Sequence, residues 1–402
     1  MVPLPALNYK VDAMDFTLIG EGGLPRPPTE RERTLLSHLF PSQFGFCIDG
    51  PFLVVYVSEL PARPWPRLVA GLPLYLATTA FESPLPVGGL GIVRWSVLDD
   101  LDATNTSSQA LYQAVIDFFE SKGVQIQEIQ WMFGCWRIVV PEGTGISSLP
   151  GRICRIAAFY FSKGYRHNIP PVELALRNKQ PTKDNPDDSP YSIIRPGVTV
   201  ASKEFLTTAG IFVEDAHKTI FLTVASHGFP TANSAVFHPQ TNGRHIGDVS
   251  KRIEDSGISL VKLKEDVKFE NHSFQSDIEP HGVMLKSIKD PFAVRRFETI
   301  SMDTPFSGPV DGQFLTVNMV SFPEKNCKAR RWVKQGWVWF GQDPKDIPPA
   351  GSCGSAIWDS EGNIICFFRY LSDDSIGIGV AAYELLEEGY SLCRTDKARL
   401  SF

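Results

Sequence analysis

Apolar and polar positions fall into two textures along the 402 residues. Residues 1–28 are rich in proline and glycine and read as an irregular arm. Thr29 followed three residues later by Glu32 is a capping-box spacing, in which each side chain satisfies the other's free backbone N–H. It predicts a short helix to about Leu39, where Pro41 forbids continuation. The apolar, β-branched run 44–57 predicts a strand, and a second strand-like run follows at 69–78, beyond the proline break Pro61–Pro66. Thr106 and Gln109 repeat the capping-box spacing ahead of a helix whose apolar face is Leu111, Val115, Phe118 and Phe119. Gly123 supplies its stop. Strands are expected at 124–130 and 135–140, and a helix at 153–162. Together these describe an α+β domain over residues 1–176.

Residues 177–190 are polar, carry three prolines and read as a linker. Beyond them, in 191–402, short β-rich runs recur between turn signals: 198–202, 210–213, 220–225, 258–263, 314–322, 332–340, 356–358 and 364–370. Such spacing without helical crossovers predicts an all-β barrel or pair of barrels. Leu385, Leu386 and Glu387-Glu388 suit an amphipathic terminal helix over 380–392.

Composition narrows the function classes. The net charge is −6 with no long basic run, so nucleic-acid binding through phosphate contacts has no support. No apolar run approaches the roughly 18 residues of a membrane span, and the first residues lack a basic start with an apolar h-region, so neither membrane nor signal peptide is expected. The seven cysteines are odd in number and scattered, without a C-x-x-C pair. Structural zinc and a disulfide framework are not expected, nor is a cofactor. An intracellular, reducing location fits, and there a thiol stays free to react.

Three segments carry candidate chemistry. Cys353 lies in Gly351-Ser352-Cys353-Gly354-Ser355, a turn ahead of an alternating apolar run. Glycines there allow a sharp bend, and the bend points amide N–H groups at a developing oxyanion. His227 ends the apolar run 220–225, fixed by a strand yet near a cleft, as a general base must be. Its bland reading is one loop histidine among eight. Glu254 and Asp255 precede the β-run 258–263. Trp131, Phe133 and Trp136 are read either as core or as the wall of a ligand groove.

In that order the segments resemble a chymotrypsin/trypsin-like peptidase over roughly residues 190–395. Thr223-Val224-Ala225-Ser226-His227 resembles the family's T-A-A-H, the run 258–263 resembles the segment after its catalytic aspartate, and Gly351–Ser355 resembles its G-D-S-G-G. Cysteine in place of serine is similar to the picornaviral-type cysteine peptidases. The resemblance implies a double β-barrel in which Cys353 is nucleophile, His227 base and Asp255 orienting acid. The oxyanion hole comes from the N–H groups of Gly351 and Cys353. Gly257 stands where the family's acid normally sits, so Asp255 needs a local bulge, and Asp248 is a weaker substitute. The segment from Cys366 to Tyr370 forms a pocket wall, with Ile347 six residues before the nucleophile. Ile347, Phe368, Arg369 and Tyr370 are the pocket candidates, Arg369 disfavouring basic side chains. Ser352 and Ser355 are structural. The implied activity is cleavage of a protein or peptide substrate. A degenerate peptidase that binds a partner is the alternative, and a third reading puts the function, including a protein partner, in residues 1–176.

Overall fold

The computed structural model describes residues 14–80, 82–85, 89–90, 93–103, 108–162, 186–229, 231, 234–275, 282–323, 330–343, 346–372 and 375–394. The chain is an N-terminal α+β region followed by an all-β double barrel with a short C-terminal helix, the class the sequence predicts.

Helix α1 (Glu30–Leu39) opens with the expected box: Thr29 N–H donates to Glu32 Oε2 at 2.7 Å, and Glu32 N–H donates to Thr29 Oγ1 at 3.4 Å. Strands Gln43–Asp49 and Phe52–Val57 form a small sheet with Leu72–Ala77 and Leu68–Val69. Helix α2 (Gln109–Ser121) is capped by Ser108, whose Oγ accepts from Leu111 N–H; Thr106 lies outside the described residues. Leu111, Val115 and Phe119 are buried as expected, and Tyr112 and Ile116 join them. Gly123 stops the helix at φ +69°.

Two predicted helices are corrected. Residues 153–161 lie in the strands Pro150–Ile153 and Ile156–Phe161 and the turn between them, where Cys154 and Arg155 have left-handed backbone. A short apolar run does not distinguish strand from helix, and pairing with Cys135–Val139 decided it. The terminal helix shrinks to α3, Tyr383–Glu387. Val380 belongs to the strand Ile376–Ala381, and Ser391–Leu392 pairs with Phe212–Glu214.

Glu128–Trp131 pairs antiparallel with Gly308–Pro323, so strands of the first 162 residues extend a 13-stranded sheet whose other part is C-terminal. Trp131 and Trp136 lie in the shared core beneath that sheet, Phe133 at its margin. Of the 177–190 linker, only 186–190 is described.

Two sheets hold the site. One has eight strands, including Ile220–Ala225, Arg244–Ile253 and Ile258–Leu263. The other contains Ala356–Asp359, Asn363–Leu371 and Ile376–Ala381. Ile253, Ile258 and Leu260 of the first share a core with Trp358, Ile364 and Phe367 of the second. Burying these apolar faces against each other fixes the strand ends that line the cleft between them.

Candidate active site

The strand Ile220–Ala225 ends in a 3₁₀ turn, Ser226–Gly228, which carries His227. Ser226 N–H donates to Gly257 O at 2.8 Å, and Ser259 Oγ donates to Ser226 Oγ at 2.9 Å. These bonds tie the histidine turn to the tight turn before Ile258–Leu263.

The cysteine turn is held from below. Thr208 Oγ1 donates to Gly351 O at 2.9 Å, and Thr207 Oγ1 donates to Cys353 O. Gly351 has φ +97°, and a Cβ there would lie 2.5 Å from the Phe306 ring. Gly354 has φ +92°, with Thr208 O 2.7 Å from where its Cβ would be. Only glycine meets both the backbone angle and the contact. The Gly351 N–H, one of the expected oxyanion donors, has no acceptor among the described residues, and the Cys353 N–H faces its own thiol. Ser352 and Ser355 are fully buried; Ser352 Oγ contacts Thr304 Oγ1 at 3.4 Å.

Both turns reach one narrow crevice of about 10 Å³ between the sheets, lined by His227, Gly257, Gly354, Phe368 and Arg369 among others, while Cys353 and Gly351 do not line it. The structure brings the histidine turn, the glycine turn before Ile258 and the cysteine turn together. Ile347 and Tyr370 are half-buried and do not line it; Phe368 does.

Cys353 is 6% exposed and its thiol donates to Arg369 O at 2.8 Å. Burial pushes that thiol up to about 12, against a weaker downward pull from Arg369. Burial first, then the Arg369 cation, pushes the His227 imidazole down to about 3. Its Nε2 is buried without a hydrogen-bond partner. No hydrogen bond joins Cys353 to His227.

The acid position differs most from expectation. Asp255, at φ +58°, makes no hydrogen bond or ion pair with His227. Asp248 contacts His245 Nε2 at 3.1 Å instead. Arg369, expected in a substrate pocket, turns back over Gly257, where a Cβ would lie 2.9 Å from Arg369 Cζ. Its Nη1 donates to Ser256 O at 3.3 Å. Sequence reading missed this because Arg369 and Gly257 are far apart in the chain. Gly257 in place of an acid was the only clue: a side-chain-free position leaves room for another residue's side chain. The threonine anchors Thr207 and Thr208 left no sequence signal.

Among the described residues, no cluster of three His, Cys, Asp or Glu side chains is arranged to hold a metal, and no helix is long and apolar enough to cross a membrane. Among the described residues no two cysteines form a disulfide.

No family model and no curated protein matches the chain. Among solved structures it is similar to a glutamic-acid-specific serine protease that uses a histidine triad in substrate binding, at 10% identity and TM-score 0.37. That likeness covers 50% of this chain and 100% of the other. Thermobifida fusca Protease A matches at 10% identity with the same TM-score, and Nocardiopsis protease at 12% and 0.37. Each covers 50% of this chain; the shares of the other chains are 100% and 99%.

Proposed function

We propose that this chain is a peptidase of the chymotrypsin-like fold with Cys353 as nucleophile and His227 as base, held in a resting state. The observation that carries this reading is the convergence of the His227 turn and the Gly351–Ser355 turn on one crevice between the sheets. In the working state His227 takes the Cys353 thiol proton, and the thiolate attacks a peptide carbonyl to give a thioester. The N–H groups of Gly351 and Cys353 hold the oxyanion, the imidazolium returns its proton to the leaving amine, and water completes hydrolysis. The substrate class is protein or peptide. Free thiol chemistry is compatible with a reducing compartment.

A second reading has a specific observation in its favour. Arg369 over Gly257 and the thiol bond to its carbonyl are also what a peptide-binding module without catalysis would tolerate. Cleavage of a proteome-derived peptide library by wild type, Cys353→Ala and His227→Ala separates the two. The peptidase reading expects cleavage products absent with both variants. Binding of peptides without any Cys353-dependent product overturns it in favour of the module.

A further inference from the structure

The carboxyl of Asp303 is sealed inside the hairpin that supports the cysteine turn. Asp303 ends the strand Thr299–Thr304 and is 1% exposed. Its Oδ2 accepts from Gln275 N–H at 2.5 Å, while Oδ1 is buried without a hydrogen-bond partner. Gly197 closes over the group at φ +97°, where a Cβ would lie 2.8 Å from Oδ2. Gly197, Phe274, Gln275 and Pro309, which surround it, carry no charge. The charged group facing it is Asp187, of like sign, and Arg195, beside Pro196, is paired with Glu270 at 2.8 Å. Burying a carboxylate with one orphaned oxygen and no counter-charge costs far more than burying the neutral acid. The folded chain therefore holds the proton on Asp303, up to about 7. The residues that follow are the ones that support Cys353. Thr304 Oγ1 accepts from Phe306 N–H at 3.1 Å and from Ser307 N–H at 3.2 Å, and Ser352 Oγ donates to it at 3.4 Å. Phe306, fully buried, lays its ring against Gly351. Asp187 N–H donates to Pro305 O at 2.8 Å, tying the same hairpin tip to the segment that enters the first barrel.

We propose that Asp303 is a pH-sensitive catch for the cysteine turn. Protonated, it keeps the hairpin tip Thr304–Gly308 seated beneath Gly351 and Ser352. When it ionises, the tip opens to bring the carboxylate to water, and Phe306 and Thr304 leave the turn they support. The proton goes to solvent, and no covalent bond of the chain changes. For any effect on cleavage the inference rests on the peptidase reading; the catch itself does not. The open form sheds its proton near 3.8 and the seated form near 7. The open fraction therefore rises about tenfold per pH unit between those values and levels off above 7.

The test is amide hydrogen exchange of the intact chain, read by mass spectrometry from pH 5.5 to 8.5, with each rate divided by its intrinsic value at that pH. Peptides covering the tip 303–308 and the turn 349–356 are compared with one covering the strand Ile220–Ala225. The expected result is normalised exchange at the tip and the turn that climbs at least tenfold between pH 5.5 and 7 and then levels off, while the strand stays constant. Asp303→Asn has the same shape and cannot ionise, so its exchange is flat with pH at all three places. Its fold is checked by an unchanged far-ultraviolet circular dichroism spectrum, and the wild-type series tests the inference without any variant. A flat wild type overturns the inference, as does a climb that survives in Asp303→Asn. An equal climb in Ile220–Ala225 also overturns it, because the chain is then unfolding as a whole. A climb confined to the tip and the turn, with no Cys353-dependent cleavage of the peptide library at any pH in the series, leaves the catch standing and overturns the peptidase reading alone.

Discussion

Replacing Arg369 by Asp changes the sign of the charge beside His227 and tests the resting state directly. In the wild type the Cys353 thiol sits at about 12 against an ordinary 9.0. Three decades less thiolate at pH 7 would slow alkylation about 1000-fold. A more basic thiolate is also more nucleophilic, with a Brønsted slope of about 0.4–0.5, which recovers roughly 16- to 32-fold. The remainder is about 30- to 60-fold slower reaction than at an ordinary thiol, before the occlusion of a side chain 6% exposed is counted. Cys47, which is exposed, serves as the internal reference. In Arg369→Asp the cation that pulls the Cys353 thiol down is gone and a carboxylate stands in its place. A like charge near a thiolate raises its pKa, so Cys353 labelling slower than in the wild type by roughly threefold or more is expected. Arg369→Asn removes the cation without adding the acid and should lose less. The assay is timed iodoacetamide labelling at pH 7 with peptide mass spectrometry of the Cys353 and Cys47 peptides. Wild-type Cys353 labelling as fast as Cys47 would refute the resting state. Arg369→Asp labelling no slower than wild type would refute the role given to Arg369.

Gly351→Ala should destabilise the chain by about 2–5 kcal/mol. A left-handed backbone angle costs a side chain about 1–2 kcal/mol, and overpacking against the Phe306 ring adds about 1–3 kcal/mol. Urea unfolding reads it as a lower midpoint with an unchanged slope, and an unchanged midpoint contradicts the packing described. Asp303 is 1% exposed, and burial pushes its carboxyl up to about 7 despite backbone donors such as Gln275 N–H. The folded chain therefore keeps a proton that the unfolded chain sheds near 3.8, so this group's contribution is full below 3.8 and is lost as pH rises to about 7. Asp303→Asn should remove that decline from a thermal-melt series between pH 4 and 8; a variant with the wild-type slope assigns the decline elsewhere.

Much of this protein was legible before any coordinates. The capping box at Thr29 and Glu32, the helix around Leu111 and Val115, and the recurrent β-runs beyond residue 190 all rest on local periodicity and turn chemistry, which act between neighbours in sequence. The glycines at 351 and 354 announced a bend because no other residue takes those angles cheaply. Local pattern failed where a partner strand decided the outcome. Residues 153–161 became strands and a turn through Cys135–Val139, and Val380 joined a sheet instead of a terminal helix.

The candidate site divides in the same way. His227 and Cys353 were marked by residue type and by their places at strand ends, and two packed sheets brought their turns to one cleft. Their protonation was decided only there, because burial sets the cost of charge on each and sequence carries no burial. Arg369 was visible as a residue but not as a neighbour of Gly257, 112 positions earlier in the chain. The sequence determined which groups this protein has for chemistry. Tertiary packing decided that a cation, and not Asp255, stands beside His227, because contact between distant strands depends on how their apolar faces close on each other.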